Sequence, residues 1–243
     1  MIPLPPDTQV FADAEATARA AADHLVALAA SAPGDRIAVC LSGGSTPKRL
    51  YELLAGPDYV GRLPWDRMHW FFGDDRCVPW DDPLSNVRMV REAFGHGAPV
   101  PDTHLHFIPS DEGPEAGARA YQATLREFHG ADTLAPERPL FDLVLLGIGG
   151  DGHTASLFPG KPGPDERTAW VTGVPEAGME PFVPRISLTF PALASARSVL
   201  VLVNGEGKRD PLRRIAAGED LPAGRITGVG TVAWFLDRAA ADA

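Results

Sequence analysis

The side chains that could do chemistry sit in five short stretches, each beside an apolar run. In Gly147-Ile148-Gly149-Gly150-Asp151-Gly152-His153, the glycines make a sharp turn that presents an acid and an imidazole two residues apart. A neutral imidazole next to a carboxylate is an oriented general base; the bland alternative is a loop histidine with no task. The stretch also contains a literal GxGxxG, so a dinucleotide site has to be considered. Such a site needs a full helix behind its glycines, and Pro159-Gly160-Lys161-Pro162-Gly163-Pro164 breaks the chain within a turn or two. It also lies past the middle of the chain, not in an opening βα unit, and the dinucleotide reading is rejected.

Ser42-Gly43-Gly44-Ser45-Thr46-Pro47 follows one apolar run and precedes a helical one. Gly43 and Gly44 let successive N–H groups converge, and the hydroxyls of Ser45 and Thr46 and the helix start add donors. Together they form an anion cradle suited to phosphate. A capped strand-to-helix turn has the same composition. No P-loop signature occurs, so the cradle points to a phosphorylated metabolite more than to a nucleoside triphosphate.

Gly73-Asp74-Asp75-Arg76-Cys77-Val78 places an arginine where it could clamp an anion or stabilise an oxyanion. On its own it reads as a solvated charge run in which Arg76 pairs with its acidic neighbours. Gly205-Glu206-Gly207-Lys208-Arg209 puts a point cation at a helix N-terminus, against the macrodipole. An anionic ligand would account for Lys208, and so would plain exposure. Arg185 opens an apolar strand and is a weaker candidate, because an arginine there is usually a surface charge.

These groups need a scaffold, and the bulk sequence limits what it can be. The 243 residues fit one α/β domain over 1–243, with 44% hydrophobic and 22% charged residues. A net charge of −10 argues against nucleic acid and anionic membranes as partners. Cys40 and Cys77 are too few for a disulfide framework or a zinc site, and His104 and His106 at i, i+2 on a strand make no metal cluster. No metal and no cofactor are expected. No GxSxG elbow occurs, so Ser42 and Ser45 are not acyl nucleophiles. The N-terminus lacks the features of a signal peptide and no 18-residue apolar run occurs, which implies a cytoplasmic chain, monomeric or a small homo-oligomer.

Helical spacing of apolar residues predicts helices over Asp13–Ser31, Asn86–Phe94, Pro114–Phe128 and Lys208–Ala217, and one with Pro47 as its first residue. Strands are expected at Ile37–Leu41, Met68–Phe72, His104–Ile108, Leu143–Ile148, Ala169–Val174, Arg185–Thr189, Val199–Val203 and Thr231–Leu236. The alternation implies an α/β fold, an open, mostly parallel sheet with helices on both faces and its site at the carboxyl ends of the central strands.

In this order the motifs resemble the 6-phosphogluconolactonase family, whose sugar-phosphate isomerase-like fold glucosamine-6-phosphate deaminases share. The resemblance runs from about Phe11 to Leu236 through Ser42–Pro47, Gly73–Val78 with Asp82-Pro83 and Ser85-Asn86, Gly147–Pro159, Arg185–Thr189 and Gly205–Arg209. The deaminase motif carries a catalytic glutamate five residues after the histidine. Here that position is Phe158, as in lactonases. Arg76 stands where deaminases have tyrosine; Asp75 stands where lactonases more often have glutamate.

The resemblance implies hydrolysis of a sugar-phosphate lactone, with His153, Asp151, Arg76 and Asp74 as catalytic candidates. Gly43, Gly44, Ser45, Thr46, Arg185 and Lys208 are the candidates for substrate and phosphate binding. The alternatives are a deaminase-like enzyme and a sugar-phosphate sensor without turnover.

Overall fold

A computed structural model describes residues 3–241. After the short strand β1 (Thr8–Phe11), helix α1 (Ala14–Ser31) starts at Asp13, whose carboxylate accepts from Ala16 N at 2.8 Å. Strand β2 (Ile37–Leu41) is buried throughout and leads into α2 (Ser45–Ala55). Next come β3 (Met68–Phe72), β4 (Asp74–Arg76), α3 (Asn86–Phe94), the two-residue β5 (Leu105–His106) and α4 (Pro114–His129). The second half comprises β6 (Phe141–Leu146), β7 (Val171–Val174), β8 (Arg185–Leu188), α5 (Phe190–Ala194), β9 (Ala196–Val203), α6 (Arg209–Ala216), β10 (Thr231–Asp237) and α7 (Arg238–Ala241). No described helix is long and apolar enough to cross a membrane.

Seven strands form one parallel sheet in the order β1-β10-β9-β6-β2-β3-β5. The chain builds outward from β2 in one direction through β3 and β5, then crosses to the other side for β6, β9 and β10. The reversal lies between β2 and β6, the switch point where open α/β sheets bind ligands. The central strands are buried along nearly their whole length, which explains their continuous apolar runs.

The structure departs from the sequence reading in several places; the strand expected over His104–Ile108 shrinks to the two residues of β5, and β9 starts three residues before Val199. Strands β7 and β8 do not join the parallel sheet; with β4 they form a separate antiparallel sheet, β4-β8-β7. Strand β4 is unexpected, because an Asp-Asp-Arg triplet carries no strand signal of its own. Helix α2 begins at Ser45, two residues before Pro47; proline is tolerated there because the first four helical N–H groups have no intrahelical partner. Strand β6 begins and ends two residues earlier than expected, so Gly147 and Ile148 belong to the loop after it.

Candidate active site

A cleft of about 300 Å³ opens at the carboxyl ends of the parallel strands. Its walls come from the segments after β2, β6 and β9 and from the small antiparallel sheet. His153 and Asp151 lie after β6. The His153 Nδ1 is 2.6 Å from Asp151 Oδ1, which also accepts from His153 N at 3.0 Å. Burial works to raise the Asp151 carboxyl, but its bonds to His153 outweigh that and hold it below its ordinary value. An ionised carboxylate can only accept, so Nδ1 carries the proton and Nε2 keeps the lone pair. His153 lines the cleft; Asp151 stands behind it. A Cβ on Gly149 would lie 2.0 Å from His153 Nδ1, so this ring position requires glycine there. Ala155, two residues on, lines the same wall at φ +48°, a left-handed conformation rare outside glycine.

Arg76 is not part of a solvated charge run. Asp74 is 7% exposed and Asp75 0%. Asp75 Oδ1 accepts from the N–H of Arg76 at 2.8 Å and of Asn86 at 2.7 Å, and its Oδ2 accepts from Ser85 Oγ at 3.0 Å. Burial pushes the Asp75 carboxyl up to about 6 against the lowering pull of those N–H bonds. Ser156 Oγ donates to Asp74 Oδ2 at 2.6 Å. The Arg76 guanidinium donates to Asn86 Oδ1 at 2.8 Å and Leu84 O at 3.0 Å, while its Nε is buried without a partner. Asn86 in turn donates to Asp74 O at 2.8 Å and fills the space that a Cβ on Gly43 would need, 2.3 Å from Asn86 Oδ1.

Arg185 lies directly opposite Arg76 in the β4–β8 register and is 3% exposed, not a surface charge. Burial, then the charge of Arg76, lower its pKa; its Nε is also without a partner. Two cations held opposite each other in register repel, and both side chains line the cleft.

Lys208, in the turn before α6, donates to Ile148 O at 2.6 Å and so ties the end of β9 to the loop after β6. Burial lowers its pKa, with Asp151 pulling the other way. Gly43 and Gly44 line the cleft, and α2 has no side-chain cap, so its first N–H groups stay free beside the glycines. Ser45 and Thr46 stand in the first turn of α2, outside the cleft lining; their hydroxyls do not contribute to the wall. Among the described residues, no group of three or more His, Cys, Asp or Glu is placed to hold a metal ion.

Residues 12–234 match the family model described as glucosamine-6-phosphate isomerases/6-phosphogluconolactonase. The chain belongs to this family. It is 40% identical over 209 residues to a 6-phosphogluconolactonase of Synechocystis, covering 84% of this chain and 83% of the relative. A Streptomyces coelicolor 6-phosphogluconolactonase is 35% identical over 250 residues, covering 97% and 94%. Among solved structures, 6-phosphogluconolactonase from Thermotoga maritima superposes with a TM-score of 0.81 at 31% identity, covering 95% of this chain and 98% of that one.

Sequence reasoning passed over several lining groups of this family member: Asn86, the Ile148 carbonyl and Met179. Asn86 had a signal, since it belongs to the resembling stretch and follows Ser85, which caps α3 by accepting from Val87 N at 3.1 Å. A main-chain carbonyl and a loop methionine leave no mark in residue types.

Proposed function

We propose that this family member hydrolyses 6-phosphoglucono-1,5-lactone to 6-phosphogluconate, the lactone-opening step of the oxidative pentose phosphate pathway. The observation that carries the reading is the His153–Asp151 pair, 2.6 Å apart, opening on a cleft that also holds Arg76, Arg185 and Lys208. His153 Nε2 takes a proton from water as the water oxygen attacks the lactone carbonyl. Arg76 faces the oxyanion that develops there. When the intermediate collapses, the carbonyl carbon–ring oxygen bond breaks, and the imidazolium returns its proton to the departing ring oxygen. Arg185, Lys208, the N–H groups of Gly43 and Gly44 and those opening α2 at Ser45 and Thr46 hold the phosphate. Asp74, held by Ser156, braces the Arg76–Asn86 wall.

Phe158, where a deaminase would carry its glutamate, favours the lactonase over the deaminase reading, and an equipped general base favours an enzyme over a sensor. We place it in the cytoplasm. The test follows acid release from freshly made 6-phosphogluconolactone, with a no-enzyme blank because the lactone opens spontaneously. A rate no greater than the blank refutes the proposal; tight binding without turnover makes the protein a sensor.

A further inference from the structure

Phe158 takes no part in the reaction as written, yet it touches both halves of the site. It is 0% exposed and, with Val174 and Ala177, forms a small cluster apart from the main core, with Met179 packed against it. The His153 ring lies 4.6 Å from the Phe158 ring, tilted by 49°. The Arg185 guanidinium lies over the same ring, 5.4 Å from its centroid. The chain returns over the ring at Gly178, where a Cβ would lie 2.9 Å from it.

Arg185 has a difficult position. It is buried, it faces Arg76, and its side-chain bonds go to two carbonyls, Pro181 O at 3.0 Å and Met179 O at 3.4 Å. A carboxylate in place of Phe158 would relieve the burial by neutralising the charge. It would also compete with a substrate anion for Arg185 and would favour the protonated, inactive form of His153. An aromatic face does neither: it attracts the cation through its quadrupole, supplies no formal charge and excludes water. It also blocks one side of the imidazole, whose other restraint is the Asp151 bond at Nδ1.

We infer that Phe158 is a positioning residue, a shared apolar platform that fixes the His153 ring and holds Arg185 buried with its charge unspent for the substrate's phosphate. The inference rests on the function proposed above, but its decisive measurement needs no turnover. Inorganic phosphate is titrated against wild type, Phe158→Leu, Arg185→Ala and the double variant. Phe158→Leu keeps an apolar side chain and removes the ring face, and phosphate binding weakens about threefold to tenfold. In the Arg185→Ala background the same change costs less than about twofold, because the group it positions is gone. Equal losses in the two backgrounds overturn the inference and make Phe158 a packing residue only.

Phe158→Tyr restores the ring face, and its phosphate affinity returns to within about twofold of wild type. A tyrosine variant with a wild-type melting temperature but the leucine variant's affinity also overturns the inference. In turnover, Phe158→Leu lowers kcat about tenfold on phosphorylated and unphosphorylated lactone alike, through His153. It raises KM only for the phosphorylated one, through Arg185. Loss of active molecules alone would lower both kcat values and leave both KM values unchanged. If wild type binds phosphate with the coupling described but opens no lactone, the proposed function fails and the platform stands.

Discussion

His153 stands in the loop after β6, and the trio His69, His104 and His106 gathers at β3 and β5 of the same parallel sheet; all four are partly buried. In the trio, His69 Nδ1 lies 3.1 Å from His106 Nε2, the His69 and His104 rings stack at 4.0 Å, and His104 Nδ1 reaches Met68 O at 3.1 Å. His106 stacks on Phe71 at 4.2 Å, nearly parallel. These imidazoles bond to one another and to a carbonyl. Burial, then the neighbouring histidines, push His69 and His106 down to about 4, with Arg36 adding to the effect on His69. His153 bonds to an ionised carboxylate that fixes its tautomer, stands on glycines that clear space for its ring, and faces a cleft. The trio lies at β3 and the edge strand β5, away from the switch point. Clustered histidines pack against one another; one histidine with a carboxylate behind it and a cavity before it is equipped to serve as a base.

The comparison breaks if His153 proves dispensable. His153→Ala lowers kcat roughly 10²–10⁴-fold while 6-phosphogluconate still binds, and kcat at near wild-type level means another group activates the water. Asp151→Asn loses part of that amount, since the imidazole remains but its tautomer is no longer imposed.

Lys208 tests the anion side of the cleft. Lys208→Ala costs on the order of 1.5–3 kcal/mol of binding, the scale of a hydrogen bond to a charged group. That is roughly a tenfold to hundredfold loss in kcat/KM for the phosphorylated lactone. Hydrolysis of unphosphorylated gluconolactone barely changes, and equal losses on the two substrates would assign Lys208 a structural role. Because burial lowers the Lys208 pKa, its charge goes as pH rises at a lower pH than for a free lysine. KM for the phosphorylated lactone therefore climbs on the alkaline side, and Lys208→Arg moves that climb to higher pH.

The trio sharpens the contrast from the other end. His69→Phe and His106→Phe leave kcat within about twofold, because neither side chain lines the cleft. Their effect is on acid stability. Unfolded imidazoles bind protons below about 6.5 that folded His69 and His106 refuse until about 4, so the contribution of this pair to stability is lost as pH falls through that window. Melting temperature measured from pH 7 to pH 4 falls less steeply in the double phenylalanine variant; an unchanged slope refutes the assignment. The smallest expected effect is that of a chelator, after which activity is retained; loss restored by a stoichiometric divalent ion would overturn the metal-free mechanism.

The sequence by itself determined the parallel sheet and the loops that carry the chemistry. β2 and β3 are doubly buried strands, and continuous apolar runs such as Ile37–Leu41 and Met68–Phe72 read directly as such. The glycine turns around Ser42 and His153 were legible because a tight strand-to-helix turn needs particular residue types. Asp151 and His153 are two residues apart, so their pairing is local and visible in one dimension. What only the tertiary structure decided is how distant charges meet. Asp74–Arg76 became a buried strand only through pairing with β8, which brought Arg185 opposite Arg76 across more than a hundred residues of chain. Phe158 became a platform only when Arg185 and the Gly178 turn closed over it. Residue types report what a side chain can do with its own neighbours; burial and cross-strand register are properties of the assembled chain, and they turned a charged triplet and a lone strand arginine into opposing cations of one site.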